Sequence, residues 1–154
     1  MLHIHSECIT VRAALEADRA SVTELIKAYI DQYGIPYPDE EQLHAMLTEL
    51  FEDPSRGIHL IVQYDGVDAG FVSLYSAWNT VRAQPFLYLS NLFIGETYRR
   101  KGLGRALLQG SRQYMEENGY AFLEWSVSGD NLAALRLYEE EGALVVPRLL
   151  YRMV

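Results

Sequence analysis

Cysteine is almost missing from this chain: Cys8 is the single one in 154 residues. No intrachain disulfide can form, and no cysteine-rich metal site can be built. That scarcity fits a reducing compartment, so a cytoplasmic location is expected. No apolar run approaches the roughly 20 residues that cross a bilayer, so no membrane partner is expected. The opening MLHIHSECIT has no basic stretch leading into an apolar run, and a secretory signal is not expected either. Basic residues are also few, with 13 Lys and Arg against 21 Asp and Glu and a formal net charge of −8. Phosphate backbones need basic surface, so nucleic acid is not an expected partner. An acidic surface favours a cationic small molecule. Acidity also serves plain solubility, and alone it selects no substrate. His3, His5, His44 and His59 lack metal-ligand spacing, and no metal is expected.

What is present is enough for one packed domain over residues 1–154. Hydrophobic residues make up 49% of the chain, too many for disorder, and no repeat or linker divides it. Cys8–Val11 reads as a first strand. From Asp18, Val22, Leu25, Ile26 and Ile30 recur at helical spacing until Tyr33-Gly34. Pro38 and Asp39 open a second helix with Leu43, Met46, Leu47 and Leu50 on one face. His59–Tyr64 and Ala69–Tyr75 flank Asp65-Gly66 as a hairpin. The order then alternates: strand Phe86–Ile94, helix Gly102–Asn118, strand Ala121–Val127, helix Asn131–Glu141, strand Leu149–Val154. Such alternation predicts an α/β fold with parallel pairing and helices packed on a mixed sheet.

The richest segment joins a strand to a helix: Leu92-Phe93-Ile94, a short loop, then Arg99-Arg100-Lys101-Gly102-Leu103-Gly104-Arg105. A helix start offers free backbone N–H groups and a positive dipole end, and glycines let an anion approach them. Arg99, Arg100, Lys101 and Arg105 place four of the thirteen basic residues within seven positions. A Walker loop is excluded because no Gly-Lys-Ser/Thr follows. A Rossmann turn is weakened because Leu107 stands where the third glycine belongs, although Glu124 lies at the distance of a ribose-binding acid. A dinucleotide oxidoreductase therefore stays open as a minor alternative.

The third candidate motif, Arg/Gln-x-x-Gly-x-Gly/Ala, is met by Arg99–Gly104. Together with Leu-x-x-Leu-Phe-Ile at 89–94 and Asn-x-x-Ala-x-x-x-Tyr at 131–138, it makes the chain resemble the GNAT superfamily of N-acetyltransferases. The resemblance is strongest over Phe86–Gly142 and weak before His59. It implies a mixed twisted sheet of six or seven strands with about four helices. It also implies that Phe86–Ile94 and Ala121–Val127, as fourth and fifth strands, splay apart at a bulge in the fourth. The implied cofactor is acetyl-coenzyme A. Its diphosphate would lie on the turn, held by Arg99, Arg100, Lys101, Gly102, Leu103, Gly104 and Arg105. The pantetheine arm would run along the backbone of Leu92, Phe93 and Ile94 beside Asn131 and Ala134. Tyr138 would be the general acid for the leaving thiolate.

The pattern is nearest to spermidine/spermine-type acetyltransferases, but their acidic pair is Ser90-Asn91 here. That leaves Glu124, or a water held by Ser90, to take the proton from a small-molecule amine. Tyr33, Tyr37, Tyr75, Trp78 and Trp125 are candidate walls of the acceptor pocket. The expected reaction is direct transfer to a primary amine in a ternary complex. Two further readings are a non-catalytic acyl-coenzyme A-binding module and a protein N-terminal or lysine acetyltransferase. The resemblance also raises a homodimer, for which no sequence feature speaks directly.

Overall fold

The computed structural model describes residues 4–6 and 8–154; His3 and the His5 side chain lie outside this part. Six strands form one sheet in chain order: β1 (Ile4–Ser6), β2 (Ile9–Ala13), β3 (Gly57–Tyr64), β4 (Val67–Asn79), β5 (Gln84–Ile94) and β6 (Leu123–Glu124). Neighbours run antiparallel except β5 and β6, which are parallel. The helices are α1 (Arg19–Tyr33), α2 (Glu40–Glu52), α3 (Leu103–Glu117) and α4 (Leu132–Glu140). The expected fourth and fifth strands are thus β5 and β6, because the short β1 precedes the expected first strand.

Local chemistry accounts for the element ends. Asp39 caps α2 by accepting from the N–H groups of Glu41 and Gln42. Asp65 and Gly66 both have positive φ, 48° and 78°, as a two-residue hairpin turn demands. Gly34, with φ 61°, ends α1.

The alternating strands bury both faces. On one, Leu60, Val62, Val72, Leu74 and Leu87 pack under α3 through Leu103, Ala106 and Leu107. On the other, Ile61 packs with Val22 of α1 and Leu43 and Leu47 of α2. Each of the leucine, isoleucine and valine side chains contributes about 1.5–3 kcal/mol by leaving water. Helix α3 lies so near β2 that a Cβ on Gly110 would come within 2.7 Å of Val11 Cγ1.

Two expectations need correction. The strand placed at Ala121–Val127 is only Leu123–Glu124, because β5 and β6 pair over two residues and then separate. The final strand placed at Leu149–Val154 does not form: residues 143–154 have no helix or strand. Their apolar, β-branched composition suits a strand, but among the described residues they meet no partner strand.

Candidate functional site: a splayed strand pair under an open helix start

Strand β5 carries one residue too many for its partner. Ser73 of β4 faces Asn91, but Leu74 faces Leu89, which leaves Ser90 as a bulge. A bulge sharpens twist and bends its strand. On the other side of β5, pairing with β6 covers only Leu87–Leu123 and Tyr88–Glu124. Among the described residues Leu89–Ile94 therefore has no strand partner on that side, and apart from the Ile94 carbonyl, which Arg99 bonds, its backbone groups there need a ligand or water.

The turn closes the upper end of this cleft. Gly102 is the N-cap of α3, with φ 82° and no side-chain cap. The first N–H groups of the helix are thus left for an external acceptor. A Cβ on Gly102 would meet no atom within 4 Å, so the space above it is open. Gly104 faces Leu92 of β5 and Leu137 of α4: a Cβ there would sit 3.9 and 3.8 Å from their Cδ2 atoms. Helix start, splayed strand and the neighbour of Tyr138 therefore converge on Gly104.

The four basic residues divide the work. Arg99 donates from Nε to the Ile94 carbonyl at 3.1 Å and also to Gln32 of α1, which ties the turn to the end of β5. Arg100 has a positive φ of 63° and is exposed. The Lys101 ammonium lies 5.3 Å from the Tyr64 ring centroid. Arg105 is drawn to α4: it bonds Glu141 at 2.6 Å and also Glu140. Arg112 adds a 2.6 Å bond to the Glu141 carbonyl. This clamp fixes the far end of α4, a role with no signal in the sequence beyond the acidic run 139–141.

Helix α4 carries Tyr138 over β6. Its ring meets Trp125 edge to face, with centroids 5.0 Å apart and planes at 73°. Burial pushes the Tyr138 phenol pKa up, a hydrogen bond with Trp125 opposes this, and nearby Tyr33 raises it further. A raised phenol pKa keeps the proton on oxygen, as a general acid requires. Asn131 uses its Oδ1 to cap α4 at the Ala134 N–H, 3.2 Å away. Ala134 is half-buried on the next turn.

Glu124 faces Tyr88 across the parallel pair, and Tyr88 faces Tyr75, so all three share the sheet face toward α1 and α2. Ser90 is exposed at the bulge and donates to Asn91 Oδ1 at 3.0 Å. Of the expected acceptor walls, Tyr75 lies opposite Tyr88 on this face, while Trp125 packs against Tyr138 and Tyr33 lies near it. Tyr37 is bonded to Asp31, and Trp78 pairs with Pro85 near the far end of β4. A groove of about 410 Å³ between α1 and α2, lined by Lys27, Glu40 and His44 among others, lies outside the cleft. Among the described residues no cluster of His, Cys, Asp and Glu suits a metal ion. No helix there is long and apolar enough to cross a membrane.

Known proteins share this pattern. The chain is 28% identical over 134 residues to the N-acetyltransferase YhfO of Bacillus subtilis (strain 168), covering 87% of this chain and 89% of that one. It is 36% identical over 95 residues to the L-ornithine N5-acetyltransferase NATA1 of Arabidopsis thaliana, covering 61% of this chain and 42% of that one. In fold it is similar to an aminoglycoside acetyltransferase from an uncultured soil metagenomic sample, with a TM-score of 0.81 at 16% identity over 97% of each chain. The profile of the Acetyltransferase (GNAT) family matches residues 22–143, and the chain therefore belongs to the GNAT family of acetyl-coenzyme A-dependent N-acetyltransferases.

Proposed function

We propose that this protein, as a single domain over residues 1–154 working in the cytoplasm, acetylates a primary amine of a small molecule by direct attack in a ternary complex. The carrying observation is the convergence at Gly104, where the uncapped helix start meets the unpaired side of β5 and the helix bearing Tyr138. The named substrates of relatives, ornithine among them, support a small amine.

When bound, acetyl-coenzyme A supplies the thioester whose C–S bond breaks as the amine forms the new C–N bond. The N–H groups of Gly102, Leu103, Gly104 and Arg105 bind the diphosphate, with Arg100 and Lys101 adding positive charge. Arg99 holds that turn against β5. The backbone of Leu92, Phe93 and Ile94 pairs with the pantetheine arm, and one of its N–H groups donates to the acyl oxygen as charge develops there. Asn131 flanks the arm, and the small Ala134 side chain leaves it room. Tyr138 protonates the departing thiolate. An alkyl ammonium must first lose a proton from a group with pKa near 10; Glu124 accepts it, directly or through a water held by Ser90.

The test is release of free coenzyme A thiol with a panel of amines: ornithine, polyamines, aminoglycosides and an N-terminal peptide. A small amine should support turnover well above the hydrolytic background. Tight coenzyme A binding without turnover on any amine would turn the reading toward a binding module.

A further inference from the structure

Two opposite charges stand unpaired on one face of the β5–β6 pair. Leu87 and Leu123 pack in the core under α3, so by strand alternation Phe86, Tyr88, Phe122 and Glu124 point to the other face. Glu124 is half-buried, and its carboxylate has no cation or hydrogen-bond partner among the described residues. Tyr88, opposite it, shares a hydrogen bond with Ser126 at 3.3 Å instead. A carboxylate taken partly out of water is costly to leave without a partner, which a ligand can supply. Next to it, Phe122 stacks on Phe86, with centroids 4.7 Å apart and planes at 12°. The Arg82 guanidinium lies 5.4 Å from the Phe122 centroid, held there by the attraction of a cation to a ring. The backbone N–H of Arg82 donates to Asn79 Oδ1 at 2.9 Å, and Ala83 beside it has a positive φ of 50°, so a defined turn between β4 and β5 presents this side chain. Among the described residues no acid pairs with it.

We infer that the acceptor is an amino acid with its reactive amine on the side chain, its ammonium lying at Glu124 and its α-carboxylate at Arg82. The inference rests on the amine transfer proposed above and narrows it. Along this face Tyr88 and Glu124 adjoin the unpaired stretch Leu89–Ile94, Phe86 and Phe122 come next, and Arg82 stands beyond them in the turn before β5. The amine therefore occupies the end nearest the splayed strands, and the carboxylate the far end. Phe122 and Glu124 are two residues apart, about 7 Å of extended chain. That is the scale of the methylene run between the two charged ends of a basic amino acid, and the stacked rings give that run an apolar bed. A guanidinium resting on a ring keeps its planar fork of N–H donors free, and such a fork fits both oxygens of a carboxylate. The same fork repels a second ammonium, so a diamine of equal length is selected against. Glu124 and Arg82 lack partners for the same reason: one ligand with two opposite charges satisfies both.

Lysine and cadaverine differ by one carboxylate, as ornithine and putrescine do. NMR titration of each into the full chain saturated with free coenzyme A reads affinity without the transfer step. In at least one pair the amino acid should bind about tenfold or more tightly than its diamine, the scale of one charge-assisted contact. Arg82→Glu should lower that ratio about tenfold or more, with unchanged far-UV circular dichroism because the Arg82 side chain is exposed. Equal affinities in both pairs overturn the inference. So does a preference that survives Arg82→Glu, or a failure of all four compounds to bind. Thiol release from acetyl-coenzyme A then separates this inference from the reaction it rests on. Equal kcat/KM for amino acid and diamine overturns the role of Arg82 and leaves the amine transfer standing. Selective binding of the amino acid with no thiol release upholds Arg82 and counts against the transfer.

Discussion

The Tyr138 ring stands edge-on to Trp125, with centroids 5.0 Å apart, so the candidate acid on α4 is aimed by the residue that follows β6, where the chain leaves β5. Aromatic packing of this geometry is worth about 0.5–1.5 kcal/mol and needs only the ring. Tyr138→Phe keeps that packing and removes the hydroxyl. Turnover should fall about 100-fold, the scale of one proton transfer, and coenzyme A affinity by titration calorimetry should stay within about twofold. Unchanged turnover would remove Tyr138 from the chemistry.

Gly102→Val tests the turn. The wild-type φ of 82° and the open space above this residue mean that valine brings both backbone strain and bulk where a diphosphate would lie. Strain of about 1–2 kcal/mol should appear as a lower Tm. Coenzyme A affinity should drop tenfold or more under conditions where the variant is still fully folded. Normal affinity there would move the diphosphate away from this helix start.

The sequence made the two-residue turn, the glycine helix start and the α4 cap legible, because each depends on a few adjacent residues. The bulges were not. Counting back from Tyr64 opposite Val67 sets His59 against Val72, yet the extra residue Ala69 shifts the partner to Ser73. The same error would hide Ser90 at the β5 bulge, had family resemblance not called for one. Register changes are tertiary decisions that leave no fixed residue pattern. The Arg105 clamp on Glu140 and Glu141 joins residues about 35 positions apart, and no local spacing signals it. The tail misled in the opposite way: its strand composition is real, but residues 143–154 pair with no strand among the described residues.

Glu124→Gln separates the acid from its shape. The amide is isosteric and cannot take a proton at neutral pH. At pH 7 kcat/KM should fall about 10- to 100-fold, and the deficit should shrink toward pH 9–10, where the amine sheds its own proton. A constant ratio of wild type to variant across that range would assign Glu124 to binding and leave the proton to a Ser90-held water.

His59 makes stability depend on acid. Its side chain is 2% exposed beside Phe71 and opposite Ser73, and its Nε2 has no hydrogen-bond partner in the protein. Burial lowers its pKa from 6.5 to about 4. Between those values the unfolded chain binds a proton that the folded chain refuses, so stability must fall as pH drops from about 6.5 to about 4. Some 2.5 units at 1.36 kcal/mol each make the loss roughly 3 kcal/mol. Urea unfolding at pH 7 and pH 4.5 should therefore show wild type losing more stability than His59→Leu, which has nothing to protonate there. Parallel losses in the two proteins would mean that the imidazole accepts its proton without unfolding, through a water reaching Nε2.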